Sequence, residues 1–160
     1  MLHESDKDQA TIITSGIMVD ESLKAYEALQ AEGISVRVID MFTWKPLDEE
    51  LVVKAARECG KIITCEEHSV IGGLGEAVCA CLSEQCPVPV RRIGVNDEFG
   101  HSGPAADLLK QFGLSAEHIV EVAKGLLRQI SGRRPPCSPS GQGAFIGQKY
   151  NYRQIVIIAP

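Results

Sequence analysis

A chain of 160 residues suits one well-buried domain, and 44% hydrophobic with 23% charged residues is ordinary composition for a soluble protein without membrane-crossing runs. Residues 129–160 hold Arg133, Arg134, Lys149 and Arg153 with no acid, which leaves 12 basic and 21 acidic residues before them, a net −9 against +4. A domain of that sign repels phosphate backbones and so excludes nucleic acid as a partner; the acidic N-terminus, lacking an apolar core, excludes a secretory signal and points to the cytoplasm.

In chain order, apolar runs rich in β-branched residues fall at Thr11 to Thr14, Val36 to Ile39, Ile62 to Thr64 and Val88 to Ile93, and helical patterns follow the first three. Alternating strands and crossover helices predict an α/β fold, an open parallel sheet with helices on both faces and right-handed connections. The first helix shows a stripe of Leu23, Tyr26 and Leu29 backed by Ala25 and Ala28, with Gly33 placed for a left-handed cap. Asp48 reads as the N-cap of the second, whose buried face is Leu51, Val52, Ala55, Ala56 and Cys59 and whose stop is Gly60. The third runs from Gly75 to Gln85 and is built of Ala77, Val78, Cys79, Ala80, Cys81 and Leu82. Pro104 at N1 starts a short helix, and Ser115 caps the last, with Ile119, Val120, Ala123, Leu126 and Leu127 in helical period. Residues 1–8 read as an extension, 9–128 as the α/β domain, and 129–160, rich in turn formers, as a disordered tail ending in a β-prone apolar stretch.

Cys59, Cys65, Cys79, Cys81 and Cys86 lie in or beside apolar segments and predict buried free thiols. The Cys79-x-Cys81-x4-Cys86 spacing lacks a second ligand pair and predicts no metal site.

Ligands of open parallel sheets bind beyond the C-terminal ends of the strands, so the loops there are the candidate site. Gly72, Gly73 and Gly75 invite a phosphate-binding reading, but they follow the third strand, lack the third glycine of a dinucleotide loop, and are joined by Glu76 where a phosphate would sit. Asp40 ends the second strand where a ribose-binding acid would lie, while the first turn offers only Gly16. Glu66, Glu67 and His68 form either an acid/base cluster or an interface; strand alternation turns Glu67 away from Glu66 and His68. His101 is either a loop anchor or part of a subunit-facing surface, and Trp44 either stacks a ligand or packs where the second strand leaves the sheet. His3 and His118 read as solvent-facing, and no Gly-x-Ser-x-Gly elbow is present.

Val36-Arg37-Val38-Ile39-Asp40-Met41, Lys45-Pro46-Leu47-Asp48, Thr64-Cys65-Glu66-Glu67-His68, Gly72-Gly73-Leu74-Gly75 and Phe112-Gly113-Leu114-Ser115 follow one another in an order that resembles the C-terminal domain of the thiamine-diphosphate transketolase family over about residues 8 to 128. The likeness is nearest to the C-terminal subunits of split bacterial and archaeal transketolases, then to deoxyxylulose-phosphate synthase. One departure is Phe99-Gly100-His101-Ser102, where relatives often carry a glutamate in place of His101, so that acid's role does not transfer. The resemblance implies a Rossmann-like domain that packs against the cofactor-binding domains or subunit and helps hold a homodimer or hetero-oligomer. It implies that thiamine diphosphate and magnesium belong to the complete enzyme, which transfers two-carbon ketol units in sugar-phosphate metabolism, and that this chain alone binds neither and is inactive. Two alternatives stand beside it, a stand-alone nucleotide-binding domain using Gly72 to Gly75 and a regulatory module acting through Glu67 and His68.

Overall fold

Four short runs of β-branched residues supply the framework of the computed structural model, which describes residues 1–129. They form β1 (Thr11–Thr14), β2 (Arg37–Asp40), β3 (Ile62–Ser69) and β4 (Val90–Val95) in one parallel sheet of order β2-β1-β3-β4. Thr11 faces Arg37 on one side and Ile62 on the other, so the two neighbours of β1 start level with it.

Alternation along the buried strands sorts the core into two layers. Ile12, Ile63, Cys65 and Ile93 point to one face and meet α1 (Met18–Ala31) and α5 (Ala116–Gln129) through Met18, Ala25, Leu29, Ile119, Ala123 and Leu126. Ile13, Ile39 and Ile62 point to the other and meet α2 (Glu49–Cys59) and α3 (Leu74–Gln85) through Val52, Ala55, Ala56, Val78 and Leu82. Ile12 and Ile13 are fully buried side by side in sequence, each contributing about 1.5–3 kcal/mol to a different layer.

The helix ends follow their capping chemistry. Asp48 accepts a hydrogen bond from Leu51 N at 3.0 Å, and Gly60 closes α2 in the left-handed region at φ 69. Ser115 Oγ accepts from His118 N at 3.4 Å at the start of α5. A short α4 (Ala105–Gln111) precedes it and buries none of its residues.

Several sequence-level expectations are corrected. The buried stripe of α1 is Met18, Ser22, Ala25 and Leu29, with Leu23 and Tyr26 half-buried and Ala28 exposed. Val53, not Leu51, completes the buried face of α2, and Ala80 of α3 faces solvent. In each case the sheet selects a slightly rotated face, which the apolar spacing alone does not distinguish. Pro104 is the N-cap of α4 rather than its first helical residue. β2 and β4 begin one and two residues later than their apolar runs, and β3 continues five residues beyond Thr64, the last four of them polar.

Residues 1–8 lie against β2: Leu2 N donates to Val38 O at 2.9 Å and Val38 N to His3 O at 3.1 Å. The nearly buried Arg37 faces Glu4 at 3.3 Å, Asp8 at 3.6 Å and Glu58, so its charge stays paired. Among the described cysteines, Cys59, Cys65, Cys81 and Cys86 are buried and Cys79 is half-buried; Cys59, Cys65, Cys79 and Cys81 are free thiols. The expected tail falls outside the described residues beyond Gln129.

Candidate functional site

All four strands end on the same side, and β3 is the element that shapes that end. From Cys65 opposite Ile93 to Ser69 opposite Val95, β3 advances four residues while β4 advances two, so the strand bulges at Glu66, Glu67 and His68. The bulge aims Glu66 and His68 toward α3 and leaves Glu67 over the β1 turn.

Glu66 is fully buried and is the centre of the site. Its carboxylate accepts from Leu74 N at 2.7 Å through Oε2 and from Gly75 N at 3.0 Å through Oε1. These are the free amides of the first turn of α3, whose own N-cap, Gly73, has no side chain to offer. A carboxylate at the positive end of a helix recovers through charge-assisted bonds and the helix dipole what it loses in hydration. Gly73 is required by this closeness: a Cβ there would lie 2.0 Å from Glu66 Oε2 and 2.6 Å from His68 Cε1.

His68 is held by one hydrogen bond and one ring contact, and its Nε2 is buried without a hydrogen-bond partner. Nδ1 lies 3.0 Å from Ser69 O, which only accepts, so Nδ1 carries the proton of that hydrogen bond; Nε2 faces Glu66 Oε2 at 3.4 Å. The ring packs on Trp44 with centroids 4.6 Å apart at 41°. Trp44 also packs against the core layer of α2 and α3, which decides for the packing role of this residue where β2 leaves the sheet. The Glu67 carboxylate is exposed and covers Gly16, whose φ of 59 suits glycine and whose missing side chain leaves the room it occupies.

The glycine loop is satisfied by the chain's own carboxylates. Gly72 N donates to Glu76 Oε2 at 2.9 Å, Leu74 N and Gly75 N to Glu66, and Ile71 N to Ser69 Oγ at 3.1 Å. A phosphate or diphosphate needs those amides, and two carboxylates there would repel it. The residues present therefore do not fit thiamine diphosphate, and among the described residues no group of three or more His, Cys, Asp or Glu side chains is arranged to hold a metal ion. Of the sequence-level candidates, the structure brings together His68, Gly73 and Gly75 around Glu66, while Gly72 turns its amide to Glu76. Glu67 lies apart over Gly16, and His101 is exposed in the loop after β4, with its ring contact to Phe112 at 5.7 Å. His3 is exposed but stacks on Tyr26 at 4.1 Å, and His118 is half-exposed beside Glu121 at 3.8 Å.

Sequence reasoning missed the capping role of Glu66. A signal existed: α3 begins at a glycine with no Ser, Thr, Asp or Asn cap, so a carboxylate from elsewhere had to serve.

A parallel sheet sandwiched by helices, with a strand-end site filled by its own carboxylates, defines a domain of the doubly wound α/β class. The model of the "Transketolase, C-terminal domain" family matches residues 1–119, and the chain belongs to that family. It is 50% identical over 113 residues to the 6-deoxy-6-sulfo-D-fructose transketolase subunit SqwH of Clostridium sp. (strain MSTE9), covering 71% of this chain and 35% of that protein. It is 43% identical over 125 residues to the transketolase of Mus musculus, covering 78% of this chain and 20% of that one. Among solved structures, the "Split gene transketolase, inactive beta4 tetramer" superposes with a TM-score of 0.72 at 51% identity, over 76% of this chain and 40% of that chain. The 160 residues thus span about a third of the bacterial relative and a fifth of the mammalian one.

Proposed function

We propose that this chain is the part of a thiamine-diphosphate transketolase that completes the assembly, while the cofactor and the two-carbon ketol transfer belong to portions outside these residues. The observation that carries the reading is Glu66: its carboxylate takes the α3 amides that would receive a diphosphate, so the site serves architecture rather than cofactor binding. The match to a relative named as a subunit and to a tetramer of a split enzyme supports an oligomer built with cofactor-binding subunits, as a homodimer of such pairs or a larger hetero-oligomer. Free thiols at Cys59, Cys65, Cys79 and Cys81 fit a reducing compartment, the cytoplasm, and among the described residues no helix is long and apolar enough to cross a membrane.

The same geometry disfavours a stand-alone nucleotide-binding domain, because the amides of Ile71, Gly72, Leu74 and Gly75 are already engaged by the chain's own side chains. Activity is tested by mixing the purified chain with the thiamine-diphosphate-binding transketolase section of the same organism, cofactor and magnesium. Ketol transfer is followed from xylulose 5-phosphate and from 6-deoxy-6-sulfo-D-fructose. Turnover requiring both chains is expected; robust turnover by this chain alone, or none from the mixture, sinks the reading.

A further inference from the structure

An open sheet has two edges, and a bare edge is a row of unpaired peptide groups on which a further strand can form. At β2 the chain covers the edge itself, antiparallel, through the bonds of Leu2 and His3 to Val38. The opposite edge is β4. Ile62 N donates to Pro89 O and Val70 N to Val95 O, both at 3.0 Å, so odd-numbered residues of β4 turn their peptide groups to β3 while Val90 and Arg92 turn theirs outward. Arg92 is exposed and Val90 half-buried, and among the described residues no backbone group bonds theirs on that side.

The two arginines that would guard this edge are drawn off it. Arg91 shares the sheet face of Ile93 and donates to Gln129 Oε1 at 2.8 Å, at the end of α5. Arg92 lies on the other face, against Gly75 of α3, and donates to Val70 O at 3.0 Å. Gln129 is the last described residue, so the chain leaves the domain beside β4. The topology also sets a direction. α2 and α3, which carry the chain from β2 toward β4, share one face, and α5 lies with α1 on the other. A parallel strand beyond β4 reached from α5 would therefore need a left-handed crossover, whereas an antiparallel one is free of that restriction. Residues 130–153 reach up to about 80 Å when extended, against about 20 Å for the length of β4, so the chain can turn back along the edge.

We propose that residues 154–159 of this same chain add to β4 as an antiparallel strand, bonding the outward peptide groups of Val90 and Arg92. The segment lies outside the described residues; in sequence it is Gln154, the β-branched Ile155, Val156, Ile157 and Ile158, and Ala159, with no charge and no proline to oppose pairing. A second copy of β4 is the wrong occupant, because a two-fold pairing centred on the exposed stretch sets Arg91 or Arg92 against itself.

The test is amide hydrogen exchange in the full 160-residue chain, read by nuclear magnetic resonance, with the Arg92 N–H as reporter and the Thr64 N–H of central β3 as control for the fold. Arg92 is expected to exchange at least a hundredfold slower than a free peptide group, with Hα–Hα contacts across the new pair in antiparallel order. Val156→Pro and Ile157→Pro each remove one donor, and alternation turns one of the two toward β4. At least one of these variants is expected to cut the protection of Arg92 tenfold or more while Thr64 stays protected. Free exchange of Arg92 in the original chain overturns the proposal, and so does protection unchanged in both variants. Protection that disappears on dilution, because a second copy supplies the strand, or contacts in parallel order overturn it as well.

Discussion

Taking a carboxylate out of water costs several kcal/mol, and Glu66 offsets that cost with two amide hydrogen bonds at the head of α3. Glu66→Ala leaves both amides buried without an acceptor, and a loss of about 3 kcal/mol in unfolding free energy is expected. Glu66→Gln keeps one acceptor and should lose about half as much; denaturant titration reads both. Gly73→Ala separates sterics from backbone strain, because φ −102 suits alanine while the new Cβ would lie 2.0 Å from Glu66 Oε2. A destabilisation of about 2 kcal/mol or more, reduced in the Glu66→Ala background, is the expected result of a double-mutant cycle. A second residue-scale effect concerns Cys65, where burial pushes the thiol up to about 12. The folded state therefore resists ionising this group: its stabilising effect is complete below about pH 9 and falls away as pH rises from there toward 12. With Cys137 replaced by serine, a thiol reagent at pH 8 should modify the half-buried Cys79 first and leave Cys65 untouched until the protein unfolds.

At the scale of elements, α2 shows how much a local signal decides. Asp48→Ala removes the oxygen that accepts from Leu51 N, and a loss of about 1 kcal/mol is expected in thermal unfolding, with Asp48→Asn nearly neutral. That cap, the Gly60 terminator and the four apolar runs were all legible in the sequence, because each depends on residues close together in the chain. The second half of β3 was not. Glu66, Glu67, His68 and Ser69 are polar, and what makes them strand is the bulged pairing with β4, a contact about 26 residues away in sequence. A shorter separation hid the site: Glu66 bonds amides of α3 eight and nine positions further on, so its meaning appears only when the helix start is seen to lack a cap of its own. Alternation still gave the right sense for Glu67, which turns to Gly16 while Glu66 and His68 turn to α3.

For the molecule as a whole, the two core layers give the domain a hydrophobic centre on each face of its sheet. The resemblance read from loop motifs and the family to which the chain belongs agree, and the open parallel sheet agrees with the superposed split-enzyme structure. The strand-end loop is filled by the chain's own carboxylates, and the proposal that follows from it is that the cofactor is held elsewhere. Calorimetric titration of thiamine diphosphate with magnesium into the purified chain tests it most directly. No measurable heat of binding is predicted up to millimolar cofactor, with saturable heat appearing when the cofactor-binding section is added. Micromolar binding by this chain alone, abolished by Gly73→Asp, would contradict the account.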